Sequence, residues 1–256
     1  MTTVNAGGIR LESAAGVAIL TIDRPEARNA IGFATMAELE TALDELAESD
    51  AAVVVVTGGG ERAFVSGGDL KELSAVRSHE EALAMALRVR TLLDRLAALP
   101  MPVVAALNGH ALGGGAEVAI AADIRIAADD VRIGFNQVSL GIMPAWGGAE
   151  RLAALVGRSR ALLAVTTGEQ YDAGSAQLMG LLDVVVPRTE FDHHWRALAA
   201  RMAATAPGAT RALKSTISAA APSVHPHTEA DATEAFARLW TADAHWDAVD
   251  ALQRKR

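Results

Sequence analysis

Two glycine-rich segments hold the residues best suited to chemistry. Ala63-Phe64-Val65-Ser66-Gly67-Gly68-Asp69-Leu70 and Asn108-Gly109-His110-Ala111-Leu112-Gly113-Gly114-Gly115-Ala116-Glu117 each follow an apolar run and lead into a predicted helix. Glycine allows backbone conformations and close approaches that a side chain forbids. Amides at a helix start lack an intrahelical acceptor, so a turn stripped of side chains can aim N–H groups at developing negative charge. Tight chain reversal calls for the same residues, and both readings stand for either segment taken alone. The spacing excludes two phosphate-binding devices: Gly113-Gly114-Gly115 is not G-x-G-x-x-G, and Gly58-Gly59-Gly60 lacks the Lys-Ser/Thr ending of a phosphate loop. Ser66 lacks the G-x-S-x-G setting of a hydrolase nucleophile, and no His and Asp partner can be assigned to it. His193 and His194, and His225 and His227 around Pro226, lack the helical i, i+4 spacing with a nearby glutamate that marks a zinc site, so no metal is expected.

These segments need a rigid frame, and the apolar pattern supplies one. Residues 17–22 (VAILTI) read as a strand that ends in the turn Asp23-Arg24-Pro25. Thr35 reads as an N-cap, followed by an amphipathic helix over 36–46 on Met36, Leu39, Leu43 and Leu46. A strand over 53–57 stops at the glycine triplet, and this strand, helix, strand order predicts a parallel sheet with crossover connections. A helix over 80–99, a break at Pro100 and Pro102, a strand over 103–107, the second glycine-rich turn, a helix over 116–121 and a strand over 124–127 follow, then a loop through Pro144. The units share no sequence repeat, yet each suits one turn of a stacked spiral. From Trp195 the chain becomes Ala-rich helices separated by Pro207 and the 222–226 segment, with Phe236, Trp240 and Trp246 on one predicted helix. The expected division is an α/β core over 1–190 and a helical section over 191–256.

Composition narrows the function. With 51% hydrophobic and only 4% aromatic residues, the core must be built from Ala, Val, Leu and Ile. A net charge of −8 argues against a phosphate-backbone partner, so no nucleic acid is expected. The chain has no cysteine, which removes disulfides and thiol chemistry and suits a reducing cytoplasm, the expected location. No signal peptide or membrane span is predicted, and the mature chain is expected to start near Met1.

Together the two glycine-rich segments resemble the paired oxyanion-hole motifs of the crotonase (enoyl-CoA hydratase) superfamily. The resemblance extends to Asp23-Arg24-Pro25 with Arg28-Asn29-Ala30, to Leu140-Gly141-Ile142-Met143-Pro144 with Gly147-Gly148, and to the run from Ala176 through Gly180-Leu181 to Val185. It implies a ββα spiral core followed by a helical trimerisation section, and a homotrimer or homohexamer. It implies an acyl-CoA thioester as substrate, with coenzyme A part of that substrate and no separate cofactor. The backbone N–H groups of Ser66 and Gly114 match the oxyanion donors, and Glu117 matches one of two catalytic glutamates. The second position holds Gln137, whose amide can hydrogen-bond a water or the substrate but cannot relay a proton. Hydration with Glu117 as acid and base is the leading expectation, with isomerisation, decarboxylation and silent acyl-CoA binding as alternatives. CoA contacts are implied for Arg28 and Ala30 and for Ala63, Gly67, Gly68, Asp69 and Leu70. The basic end Arg254-Lys255-Arg256 is a further candidate for phosphate. Trp146, in the loop beyond Gln137, is a candidate lining residue of the acyl pocket, with ordinary core packing as the alternative.

Overall fold

Val53 to Val56 are buried on both faces, as an uninterrupted apolar run requires of a strand inside a parallel sheet. They form the middle of a sheet in a computed structural model that describes residues 2–6, 8–220 and 226–254; of 2–6 and 226–229 only the backbone is described. His225 and the terminal pair Lys255 and Arg256 lie outside the described residues, as does the side chain of His227.

The chain opens with β1 (Thr2–Ala6), β2 (Ile9–Ala14) and β3 (Val17–Ile22), then α1 (Phe33–Ala47). The first spiral turn is β4 (Val53–Gly58), β5 (Ala63–Val65), α2 (Leu70–Leu73) and α3 (His79–Ala97). The second is β6 (Val103–Leu107), β7 (His110–Leu112) and α4 (Gly114–Ala121). The third is β8 (Ile124–Ala128), β9 (Arg132–Gly134) and a 3-10 turn at Asn136–Leu140, followed by α5 (Gly148–Val156) and α6 (Arg158–Thr167). After β10 (Gln170–Asp172), α7 (Ala173–Leu178) and β11 (Val184–Val186), the chain is helical: α8 (Phe191–Ala203), α9 (Pro207–Ala220), α10 (Pro226–Trp240) and α11 (Asp243–Arg254).

Each spiral turn gives one strand to each of two sheets. The larger has the order β1-β2-β3-β4-β6-β8-β11, antiparallel through β3 and parallel from β3 onward. The smaller has the order β10-β9-β7-β5, with β5, β7 and β9 parallel. The glycine-rich turns follow β5 and β7, which are neighbours in this smaller sheet, so the sheet itself brings them side by side. The four strands of this sheet are three residues each, too short to show a two-residue period, so none of them is predicted by the apolar pattern.

Three boundaries differ from expectation for physical reasons. Helix α1 starts at Phe33, not after Thr35: Gly32 caps it without a side chain, and Phe33 N–H donates to Glu72 Oε2 at 2.8 Å. That cap comes from 39 residues away, beyond any local pattern. Helix α4 starts at Gly114 rather than Ala116, so its first turn is glycine. Phe236 and Trp240 lie on α10 but Trp246 on α11, with the chain breaking at Thr241 and Ala242; the three rings still meet, Trp240 edge-on to Trp246 at 5.4 Å. Helix α3 carries the full capping box of Ser78 and Glu81. The C-terminal helices pack back on the core, where Trp240 Nε1 donates to the Val76 carbonyl at 3.0 Å. No described helix is long and apolar enough to cross a membrane.

Candidate active site

The two turns touch. A side chain on Gly67 would meet the Gly114 nitrogen at 3.2 Å, and one on Gly115 would overlap the Val65 carbonyl, so the backbones approach as closely as glycine allows. Gly67 also takes φ +101°, a region that L side chains rarely enter. The first turn is pinned from outside by Ile31, whose N–H donates to Gly67 O at 2.8 Å and whose carbonyl accepts from Asp69 N at 2.9 Å. The second is pinned by Gly113 N donating to Gly134 O of β9 at 2.9 Å. Neither the Ser66 nor the Gly114 amide is drawn into these turn and loop pairings.

Glu117 lies on the first turn of α4 and is buried. Its Oε1 accepts from Trp146 N at 2.8 Å and from Gly148 N at 2.9 Å, and its Oε2 accepts from Gln137 Nε2 at 2.9 Å. Burial lifts this carboxyl from its usual value near 4.5 to about 7, against the opposing pull of the two amides, Gln137 and the Arg151 guanidinium. A carboxyl poised near neutrality suits both giving and taking a proton. Gln137, also buried, sits on the 3-10 turn with its Oε1 buried and without a partner, an acceptor available to a donor next to Glu117. Trp146 is 7% exposed, and its ring lies against the α-carbons of Gly114 and Gly68 while its amide holds Glu117. The structure thus brings together Ser66, Gly67, Gly68, Gly114, Glu117, Gln137 and Trp146.

Of the residues expected to meet coenzyme A, Gly67 and Gly68 fall in this group, and the others are engaged around it. Ala30 O accepts from Arg24 Nη1 at 2.7 Å, and Ala63 O from Asn29 Nδ2 at 2.7 Å. Asp69 caps α2 through Lys71 N at 3.2 Å and pairs with Arg24 Nη2 at 3.0 Å, while Leu70 packs against the core. Arg28 is exposed, in the left-handed conformation at φ 55°.

Several supports had no local signal. The Trp146 and Gly148 amides reach Glu117 from about thirty residues away, because the loop returns over α4. His245, fully buried between Trp240 and Trp246, bonds through Nδ1 to the Leu140 carbonyl at 2.7 Å and so fastens α11 to the turn that carries Gln137. A carbonyl only accepts, so Nδ1 carries the hydrogen.

The chain is similar to known proteins over nearly its whole length. Residues 12–251 match the family model described as enoyl-CoA hydratase/isomerase. The short-chain-enoyl-CoA hydratase of Clostridium acetobutylicum is 34% identical over 247 residues, spanning 96% of this chain and 94% of that protein. The 2,3-dehydroadipyl-CoA hydratase of Escherichia coli is also 34% identical, over 94% of this chain and 93% of its own length. The crystal structure of an enoyl-CoA hydratase from Bacillus anthracis superposes with a TM-score of 0.80 at 32% identity, covering 97% of both chains.

Proposed function

The chain belongs to the enoyl-CoA hydratase/isomerase family and has the crotonase fold, and from that premise we propose that it adds water across the C2=C3 bond of a 2-enoyl-CoA thioester with a single proton-relaying carboxyl. The observation that carries the reading is Glu117: a buried carboxyl near pKa 7, held by two amides beside two side-chain-free turns. The thioester carbonyl accepts from the Ser66 and Gly114 N–H groups. A water lies between Gln137 Oε1 and Glu117 Oε2. Its oxygen bonds to C3 as its proton passes to Glu117, and the π electrons move onto the thioester oxygen as an enolate. The same proton then passes from Glu117 to C2, the carbonyl re-forms, and H and OH have been added. Preorganised donors at an oxyanion are each worth about 3–4 kcal/mol of barrier, so the two amides supply much of the catalysis. Arg28, Ala30, Ala63, Gly67, Gly68, Asp69 and Leu70 are assigned to the coenzyme A portion, and the Trp146 ring to the acyl side.

Hydration of crotonyl-CoA, followed by loss of the conjugated thioester absorbance, tests this. Glu117→Gln should lower kcat by about 10²- to 10⁴-fold, and kcat/KM of the wild type should rise through about pH 7 to a plateau, because the free enzyme must present a carboxylate. Unchanged turnover in Glu117→Gln, or a wild type inert to crotonyl-CoA, sinks the reading. One carboxyl also suffices for a proton shift between C2 and C4, and 3-enoyl-CoA is the substrate that reveals it.

Assembly as a homotrimer or homohexamer is part of the same proposal. Helix α9 has no buried residue and exposes Leu213 and Ile217 four positions apart, a stripe suited to a neighbouring copy. Light scattering on the full chain gives the number of copies.

A further inference from the structure

Glu117 is held by a turn, and that turn is itself held by charged side chains of two helices. Between the amides of Trp146 and Gly148, Gly147 takes φ +85°, and a side chain on it would overlap the Arg151 guanidinium. Arg151 Nη1 donates to the Trp146 carbonyl at 2.8 Å, and its other terminal nitrogen pairs with Asp94 of α3. Alongside, Arg90 Nη1 donates to Glu150 Oε1 at 2.8 Å, and Arg90 Nε lies 3.7 Å from Asp94 Oδ2. Arg90 and Asp94 are four residues apart on α3, while Glu150 and Arg151 are adjacent on α5, so four charges of alternating sign join the two helices. The side chains of Arg90, Glu150 and Arg151 are only 5%, 7% and 16% exposed.

The Trp146 carbonyl belongs to the peptide plane that lies between the two amides bound to Glu117. Fixing that plane orients the units on either side of it, because each peptide is rigid and only two torsions join it to the next. We propose that Arg151 is a positioning residue for the Glu117 carboxyl, clamping the Trp146 carbonyl to Asp94 so that two N–H groups converge on one carboxylate oxygen. The proposal rests on the reading of Glu117 as the proton-relaying group. Arg151 also acts through space: its positive charge favours the Glu117 carboxylate against burial. The polar groups around Glu117 are Gln137 from the 3-10 turn, the 146–148 amides, and Arg151 from α5, with Glu150, Arg90 and Asp94 behind it.

The experiment compares Arg151→Gln, Arg151→Lys and Asp94→Asn in the full chain. It measures kcat and KM for crotonyl-CoA against pH, the melting temperature, and the infrared titration of the buried carboxyl band, assigned by its loss in Glu117→Gln. For Arg151→Gln the expected result is a kcat reduced by about a hundredfold, as for a misplacement on the order of 1 Å. KM should stay nearly unchanged, and both the rising pH limb and the infrared midpoint should move to higher pH. Arg151→Lys keeps the charge and so restores the midpoint, but a compact ammonium cannot span the carbonyl and Asp94 as a planar fork does, leaving kcat low. Asp94→Asn, which loosens the anchor without removing Arg151, shows a smaller loss in the same direction and serves if Arg151→Gln does not fold. Wild-type kcat and midpoint in Arg151→Gln, or a kcat loss that follows the melting temperature with the midpoint unmoved, overturns the proposal. A midpoint that moves while Glu117→Gln keeps full turnover supports the positioning and sinks the catalytic reading instead.

Discussion

The two glycine-rich turns look alike in sequence and are built on different physics. The turn at 66–68 is held from outside, by the Ile31 backbone and by the pairing of Asp69 with Arg24, and the space beside Gly68 ends at the tip of the Leu73 side chain. The turn at 113–115, pinned by Gly113 N on the Gly134 carbonyl, is also walled in by packing, with the Trp146 ring against Gly114 and the Val65 backbone against Gly115. A flexible side chain can rotate away from an added methyl group, whereas a strand carbonyl cannot and a buried indole moves only at the expense of its packing and of the amide it carries. The lesson is that glycine is dispensable at position 68 and obligatory at 114 and 115, while Gly67 is fixed by its φ of +101° rather than by a packed neighbour.

Alanine at three positions breaks or sharpens this contrast. The largest effect is expected for Gly115→Ala, where the new methyl drives into Val65 O and pushes the end of β5, and Ser66 with it. Overpacking against backbone should cost about 3 kcal/mol in urea unfolding, at the upper end for such changes, with hydration falling about a hundredfold or more. Gly114→Ala comes next. The indole must swing aside and drag the Trp146 amide from Glu117, so kcat should fall about a hundredfold with a stability loss of about 1–2 kcal/mol. Gly68→Ala should be mildest, with a Leu73 rotamer change costing about 1 kcal/mol and activity kept within roughly tenfold. Equal losses at Gly68 and Gly115 would erase the distinction between the turns.

Much of this site was legible in the chain. The larger sheet announced itself through runs such as residues 53–57 and 103–107, long enough to carry a pattern, and the glycine-rich segments with Glu117 and Gln137 stood out as residues that the fold gathers in one place. Three-residue strands such as β5 and β7 carry no period, so the smaller sheet that sets the turns side by side stayed hidden. What holds Glu117 was also out of reach, because the Trp146 and Gly148 amides act through backbone that any residue would supply. Arg90, Asp94, Glu150 and Arg151 read as ordinary helix charges until α3 and α5 are seen to meet.

The burial of Glu117 has a consequence for the fold as well as for the substrate. An unfolded chain releases this proton near pH 4.5, while the native state keeps it to about 7, so within that window the native state binds more protons. Proton linkage then makes stability fall as pH rises through the window, from no penalty below it to a loss of about 3 kcal/mol above it. Against Glu117→Gln, whose amide does not titrate, the wild type should lose ground in urea unfolding between pH 5 and pH 8. This one carboxyl thus burdens the fold least in mild acid, where it is protonated, and most at the pH where the proposed reaction needs it ionised.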